Sequence, residues 1–303
     1  MKDDIEYQYD VATALTKGRR ELQEDALALH FPAGSELGYI VLADGMGGHA
    51  AGDVASTIVV QEVCAALRLY ADDPPHLERN IGPILSNALD RANSQIARHT
   101  SDSPELHGMG STLVASLIIR NRLYWISVGD SPLYLLRRAQ MSRLNQEHSL
   151  ARRMDRMVLN GLMSRQEADL NPDRDCLTSV LFGAAIPEVD RRDYPIDLMD
   201  GDILIVASDG LQTMDDTRIA SLVHVHRNRP SAEICSRLLK EIADMDDPYQ
   251  DNVSFCVVKV AGKGRATRAP SPHPDGVTRT SVQLRVASQG KRVSVFYFSQ
   301  RKG

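Results

Sequence analysis

Two apolar runs that each lead into an Asp-Gly pair are the clearest feature of the hydrophobic pattern. Residues 39–43 (YIVLA) and 203–207 (ILIVA) are apolar throughout, which predicts strands buried on both faces of a sheet. The first run continues directly into Asp44, and the second continues through one serine into Asp209. Both carboxylates are therefore predicted to lie where a buried strand leaves the core. An ordinary Asp-Gly turn is the alternative interpretation of each pair.

The remaining hydrophobic periodicity predicts further strands and several helices. Strands are predicted over residues 8–15, 113–119, 123–128, 133–136 and 253–260. Apolar residues at helical spacing predict helices over residues 52–70, 83–99, 216–225 and 231–245. The short connections within residues 113–136 predict an antiparallel meander.

Two more aspartates lie at predicted strand boundaries. Asp130 is predicted at a hairpin tip of the meander, where a plain turn aspartate is an equally good interpretation. Asp251 opens the strand 253–260. The beginning of an antiparallel strand lies beside the end of its neighbour. Asp251 is therefore predicted to meet Asp44 and Asp209 at one rim.

A charged segment, GRRELQED at residues 18–25, precedes the first apolar run. If Glu24 and Asp25 begin a strand, they point to opposite faces, so one can face a site while the other supports it. Arg19 and Arg20 stand ahead of them, and a guanidinium is suited to holding an anionic substrate. A solvated charged loop is the alternative interpretation of this segment.

The candidate ligand set consists of oxygen atoms. Three glycines among residues 45–48 leave backbone carbonyls uncovered beside the fixed carboxylate of Asp44, an arrangement that suits a hard divalent cation. No cysteine or histidine accompanies the aspartates at ligand spacing. Such a set favours Mg²⁺ or Mn²⁺ over Zn²⁺ or Cu²⁺. A metal pair with an arginine beside it indicates phosphoryl chemistry.

Charge is distributed unevenly along the chain. The 303 residues carry a net charge of −5, which argues against nucleic-acid binding by bulk electrostatics. Residues 261–303 carry nine Lys/Arg and one acid, Asp275, which gives them a charge of +8 and the preceding 260 residues one of −13. Residues 261–276 are rich in Gly, Pro and Ser and are predicted to be a linker. Residues 277–303 form a basic C-terminal extension, whose two alternating apolar runs can form a β-hairpin or stay loosely ordered.

The four cysteines favour a cytoplasmic protein with reduced thiols. None lies in a CxxC pair or at zinc-finger spacing with a histidine, and three lie within apolar patterns as small hydrophobic side chains. The acidic start of the sequence, MKDDIEYQYD, lacks the apolar region of a signal peptide. No apolar run approaches the length of a membrane span, so we expect no transmembrane segment.

Eight motifs resemble those of the metal-dependent serine/threonine protein phosphatases of type 2C, in their bacterial form. The motifs are RELQED at 20–25, ADGMGGHAAG at 43–52, GMGSTLV at 108–114, SVGDSPLYLL at 127–136, EHSL at 147–150, LTSVLFG at 177–183, GDILIVASDGL at 201–211 and DNVSFCVV at 251–258. They occur in family order and imply a catalytic domain over residues 1–260. Residues 261–303 lie outside the resemblance.

The resemblance implies an α+β fold, a four-layer α-β-β-α sandwich of two antiparallel sheets flanked by helices. It places a flap over about residues 148–175, beside a centre for two Mn²⁺ or Mg²⁺ ions at one end of the sandwich. In that centre Asp44 bridges the ions and Gly45 offers its carbonyl to one of them. Asp209 and Asp251 hold the other ion.

The resemblance also assigns supporting roles around the two ions. Asp130 matches an aspartate that many bacterial members use for a third, weaker metal. Glu24 and Asp25 act through bound water or orient the ligands. Arg20 grips the phosphate.

The implied activity is hydrolysis of phosphoserine and phosphothreonine in proteins, by in-line attack of a metal-bridging hydroxide. The alternative is a non-catalytic family member that serves as a phosphoprotein-binding or scaffolding module. Such proteins typically lose metal aspartates, whereas Asp44, Asp209, Asp251 and Arg20 are all present. The expected partners are phosphorylated proteins, with a serine/threonine kinase or its substrates as the counterpart. We expect a monomer.

Overall fold

The computed structural model describes residues 7–32, 34–47, 51–262 and 294–299. The strands in these ranges are β1 (Tyr7–Thr16), β2 (Asp25–His30), β3 (Leu37–Met46), β4 (Gly110–Ser111), β5 (Leu113–Ile119), β6 (Arg122–Val128), β7 (Leu133–Arg137), β8 (Gln140–Arg143), β9 (Asp190–Asp197), β10 (Ile203–Ala207), β11 (Val253–Gly262) and β12 (Ser294–Ser299). The α-helices are α1 (Ala51–Arg68), α2 (Pro74–Arg79), α3 (Ile81–Asp102), α4 (Leu150–Leu159), α5 (Arg165–Asp169), α6 (Asp216–His226) and α7 (Ser231–Met245). The predicted strands and helices agree with these bounds to within three residues at each end.

The strands form two sheets in which the paired neighbours run antiparallel. The first sheet has the order β12-β1-β11-β10-β7-β8. The second has the order β2-β3-β5-β6-β9, and β4 pairs with β3 beside it.

Three apolar clusters stack these sheets and the helices into four layers. Helices α1 and α3 pack against the second sheet, apolar side chains of both sheets meet in the middle, and α6 and α7 cover the first sheet. Strand β3 is buried on both faces, which explains why residues 39–43 are apolar throughout. Ile40 and Leu42 point into the middle cluster, whereas Tyr39 and Val41 point towards the helices. The predicted four-layer sandwich is confirmed.

The predicted meander over residues 113–136 is wrong in its second half. Strands β5 and β6 pair within the second sheet, but β7 pairs with β8 and β10 in the first sheet. The segment Gly129–Pro132 therefore passes from one sheet to the other and is not a hairpin tip. Asp130 lies in this crossing, between the two sheets.

The shared rim of the aspartates also differs from the prediction. Asp251 precedes β11 and Asp209 follows β10, and these two strands are antiparallel neighbours in the first sheet, as expected. Asp44 belongs to β3 of the second sheet. It therefore reaches the other two from across the sandwich and not from a neighbouring strand.

Strand β9 could not be recognised from hydrophobic alternation, because it is built from charged and mostly exposed residues (DRRDYPID). It is held to β6 by its backbone ladder, and the guanidinium of Arg192 lies 5.7 Å from the ring centroid of Trp125. In contrast, helix α5 begins at a pattern that a sequence can show. Ser164 and Glu167, three residues apart, form a capping box there.

The C-terminal extension contributes one described strand. β12 pairs with β1 along the edge of the first sheet, in the register Asp10 with Ser299 to Leu15 with Ser294. The other half of the expected hairpin, residues 281–286, lies outside the described residues, as does most of the expected linker. Strand β11 runs to Gly262, two residues beyond the expected end of the domain. Among the described helices, none combines the length and the hydrophobicity that a membrane span requires.

Candidate metal centre

Asp44 is fixed by the backbone around it at the end of β3. Its N–H donates to Thr112 Oγ1 at 3.0 Å, and its carbonyl accepts from Ser111 Oγ at 3.0 Å and from the Thr112 N–H at 2.9 Å. Across the sheet it is the register partner of Asp25 in β2. Asp25 and Asp44 thus lie side by side where these two antiparallel strands pair.

Asp25 is the most deeply enclosed of these acids, with only 7% of its surface exposed. Ser208 Oγ donates to its Oδ2 at 2.8 Å, while its buried Oδ1 has no hydrogen-bond partner. Burial raises the pKa of Asp25 to about 7, and the charges of Asp209 and Asp251 add to the effect. An unpartnered carboxylate oxygen at this depth is suited to a cation or to a water held by one.

The carboxyl groups of Asp44 and Asp209 are close enough for each to affect the other's pKa. Burial, followed by the charges of Asp25, Asp209 and Asp130, raises the pKa of Asp44 well above its usual range. The pKa of Asp209 is raised by burial and by Asp251. These groups therefore oppose one another's ionisation, as expected where like charges are packed together.

Asp130 joins this cluster through the crossing between the sheets. Burial and the charge of Asp209 raise its pKa to about 7. His148 holds the crossing, since its Nδ1 accepts from the Gly129 N–H at 3.1 Å and its own N–H donates to the Gly129 carbonyl at 2.9 Å. The guanidinium of Arg143 donates to the Asp130 carbonyl. His148 therefore acts here as a hydrogen-bonding residue.

Glu24 and Gly45 lie in direct contact on the other side of Asp44. The Gly45 N–H donates to the Glu24 carbonyl at 3.1 Å. A Cβ on Gly45 would lie 1.9 Å from the Gly52 carbonyl oxygen, so only glycine fits between these backbones. Burial raises the pKa of Glu24, and the charges of Asp53 and Asp251 raise it further. Asp53, which the motifs did not assign to the site, is thus part of its electrostatic surroundings.

Arg20 and Asp251 form an ion pair. Arg20 Nη2 donates to Asp251 Oδ2 at 2.5 Å, and the other oxygen, Oδ1, accepts from the Asn252 N–H at 2.7 Å. Both side chains are partly exposed, at 55% and 38%. Arg19 points elsewhere, to Asp246. Of the two neighbouring arginines, Arg20 is the one directed at the candidate ligands.

An open cavity of about 370 Å³ adjoins the acids. It is lined by Asp130, Asp209 and Asp251 together with Ser149 and Asp175 from the predicted flap. The candidate ligands therefore border a space that a substrate can enter from the side of the flap.

The site residues predicted from the sequence fall into two connected groups. Asp25, Asp44, Asp130 and Asp209 form the buried group, and Arg20, Glu24 and Asp251 form the more open one, joined to the first by the coupling of Asp251 with Asp209. Within the described ranges no three acidic, histidine or cysteine side chains are already gathered as a metal shell. Asp251 is paired with Arg20 in this arrangement. The all-oxygen chemistry and the unpartnered Asp25 Oδ1 fit a hard divalent cation.

Several supporting residues lie within the quoted motifs, but the sequence assigns them no role in the site. Thr112 bridges the two sheets, since its Oγ1 accepts from Asp44 and lies 2.9 Å from Ser131 Oγ beside Asp130. Ser208 holds Asp25, and Asn252 holds the segment before Glu24. Their partners are mostly backbone groups, and these are the same for every residue type.

Comparisons with known sequences point to one family. A sequence model described as protein phosphatase 2C matches residues 17–245. The serine/threonine protein phosphatase PstP of Mycobacterium tuberculosis is 33% identical over 232 residues, which are 75% of this chain and 41% of that protein. The chain therefore spans less than half the length of this relative.

Solved structures of bacterial phosphatases share the fold. The serine/threonine phosphatase of S. agalactiae is similar with a TM-score of 0.69 and 25% identity, covering 83% of this chain and 99% of that one. The catalytic domain of PstP, solved in complex with two manganese ions, is similar with a TM-score of 0.65 and 31% identity. That likeness covers 84% of this chain and 99% of the PstP domain.

Proposed function

Because the chain belongs to the protein phosphatase 2C family, we propose that it is a metal-dependent phosphatase acting on phosphoserine and phosphothreonine in proteins. The observation that carries this proposal is the buried group Asp25, Asp44, Asp130 and Asp209, whose members oppose one another's ionisation. Perturbed acids that border an open cavity are typical of functional sites. Divalent cations among them would convert this repulsion into attraction.

The residues that would hold Mn²⁺ or Mg²⁺ follow from the family motifs. Asp44 and the Gly45 carbonyl would take one ion, and Asp44, Asp209 and Asp251 the other. A third ion would belong to Asp130. When bound, the ions lower the pKa of the attacking water towards neutrality and offset the charge of the phosphoryl oxygens.

Asp25 and Glu24 would orient the centre without binding phosphate. Asp25 stands opposite Asp44 in the sheet and is held by Ser208 Oγ, so its unpartnered oxygen has a fixed direction. The Glu24 carbonyl accepts from the Gly45 N–H, which holds the backbone of the residue whose carbonyl would face an ion. Both acids thus act on the geometry of the ligands.

Arg20 would bind the phosphoryl oxygens. Its guanidinium is partly exposed and is paired with Asp251, a candidate metal ligand. We propose that this ion pair opens when metal and substrate bind. Asp251 would then bind the cation, and Arg20 would bind the phosphate. In-line attack on phosphorus then requires positioning and charge stabilisation, and no protein nucleophile.

Hydrolysis of p-nitrophenyl phosphate by the purified protein tests this function. We expect turnover with Mn²⁺ and its loss when EDTA removes the metal, since the aspartates would hold the ions that activate water. Restoration by added Mn²⁺ is the control for irreversible damage. Inactivity at every divalent metal tested would favour the non-catalytic scaffold.

The substrates and surroundings of the enzyme are proposed from its relatives. The named relatives are serine/threonine phosphatases, which supports phosphorylated proteins as substrates and a serine/threonine kinase or its substrates as the counterpart. We propose that the protein acts as a monomer. Cys64, Cys235 and Cys256 are free and buried, which fits the reduced thiols of a cytoplasmic protein.

The C-terminal extension is expected to serve targeting and not chemistry. Truncation after Gly262 keeps β11 intact and should leave turnover of p-nitrophenyl phosphate within about twofold, a change of ~0.4 kcal/mol in the barrier. It should lower activity on the natural phosphoprotein, more at low salt than at high, because the +8 extension steers encounters over about 8–10 Å. Loss of p-nitrophenyl phosphate turnover, or an insoluble product, would show instead that β12 is needed to complete the first sheet.

A further inference from the structure

The carboxamide of Asn252 is fully engaged with one short segment of backbone. Its Nδ2 donates to the Lys17 carbonyl at 3.0 Å and to the Leu22 carbonyl at 2.9 Å, and its Oδ1 accepts from the Glu24 N–H at 2.7 Å. The side chain is buried, with 4% of its surface exposed. Three hydrogen bonds from one side chain thus fix both ends of residues 17–24.

Only a carboxamide satisfies these three partners. Two of them are carbonyls that need N–H donors, and the third is an N–H that needs an acceptor. Asparagine supplies two donors and an acceptor on one planar group. Aspartate has the same shape but would turn an oxygen towards the two carbonyls, and leucine would remove all three hydrogen bonds.

The segment makes further contacts with the residues around Asn252. The Arg19 N–H donates to the Gln250 carbonyl at 2.9 Å. Gly18 has φ +58°, and a Cβ there would lie 2.2 Å from the Asp251 carbonyl oxygen, so the two stretches of backbone touch. Residues 17–24 therefore pack directly against residues 250–252.

We propose that Asn252 is a positioning residue that aims Arg20 at the phosphoryl group. Arg20 lies between the carbonyls of Lys17 and Leu22, the two that Asn252 holds. Asn252 also donates its N–H to Asp251, the partner of Arg20. Asn252 thus fixes both the backbone on either side of Arg20 and the carboxylate of Asp251. This role rests on the proposed phosphatase function.

Steady-state kinetics of Asn252→Asp at saturating Mn²⁺ test the proposal. We expect KM for p-nitrophenyl phosphate and the inhibition constant of inorganic phosphate to rise about fivefold, with kcat changed less than about twofold, because a displaced Arg20 weakens phosphate binding. Asn93→Asp is the matched control, since Asn93 likewise accepts from one backbone N–H and donates to one carbonyl. It should leave KM unchanged. Equal changes in KM for the two variants would overturn the proposal.

A double-mutant cycle with Arg20→Ala separates positioning from general destabilisation. If Asn252 acts through Arg20, Asn252→Asp should raise KM less than about twofold once Arg20 is absent. A full fivefold rise on that background would show that Asn252 acts on something else. A merely structural loss would lower the melting temperature and leave the two effects on KM additive.

Hydrogen exchange of the backbone amides keeps this proposal distinct from the proposed function. In Asn252→Leu the Glu24 and Arg19 amides should exchange faster than in the wild type, while those of β10 stay protected. Faster exchange in Asn252→Leu, together with a wild-type protein that has no phosphatase activity, would support the docking by Asn252 and reject the function. Unchanged exchange at Glu24 would reject the docking itself. If Asn252→Leu does not fold, exchange of the Arg19 amide is measured in Asn252→Asp instead. The Arg19 N–H donates to the Gln250 carbonyl, so the substitution does not remove its partner directly.

Discussion

Asp44→Asn and Asp209→Asn are each expected to reduce Mn²⁺-dependent turnover of p-nitrophenyl phosphate by more than about 100-fold. Loss of a group that only supports a metal ligand costs about 10- to 100-fold, and loss of the ligand itself should cost more. Both residues belong to the buried group of acids, and each affects the pKa of the other. Kinetics over a range of Mn²⁺ concentrations and calorimetry of Mn²⁺ binding measure the effect.

Stability measurements distinguish this loss from unfolding. Burial and neighbouring acids oppose the ionisation of Asp44, so Asp44→Asn should raise the melting temperature in EDTA, even though it abolishes activity. Asp202→Asn is a matched control, since Asp202 is also buried and flanks the opposite end of β10 from Asp209. Its loss removes the ion pair with Arg137 and should lower stability while activity remains. Normal turnover in Asp44→Asn or Asp209→Asn would refute the metal assignment.

The central parts of the fold and site were predictable because they depend on local patterns. A strand buried on both faces must be apolar at every position, which made β3 and β10 recognisable, and an aspartate directly after such a strand has a fixed place. Asp44 and Asp209 were therefore identified from the sequence. Their meeting across two different sheets was not, because the sheet to which each strand belongs is decided by long-range pairing.

The crossing at Asp130 also depends on long-range pairing that the local sequence does not show. A Gly-Asp-Ser-Pro segment is as compatible with a hairpin as with a crossing between sheets. The outcome depends on β7, which pairs with β10 some seventy residues later in the chain. Local turn chemistry placed Asp130 near a strand end, but only the tertiary pairing places it beside Asp209.

Residues that act through backbone groups are the hardest to find in a sequence. Asn252 and Thr112 bind carbonyls and N–H groups, which every amino acid provides, so no complementary residue type marks their partners. Charged strands such as β9 pose a related problem, because they lack the hydrophobic alternation that would reveal their backbone pairing.

The choice between two adjacent arginines is tested by Arg20→Ala. We expect KM for p-nitrophenyl phosphate and the inhibition constant of phosphate to rise about 10- to 30-fold, with Mn²⁺ affinity nearly unchanged. A charge-assisted hydrogen bond contributes about 1.5–3 kcal/mol, and the partial exposure of Arg20 favours the lower part of that range. Arg19→Ala, which removes only an exposed pair with Asp246, is the matched control and should leave KM unchanged. If Arg19→Ala raised KM and Arg20→Ala did not, the phosphate-binding role would belong to Arg19.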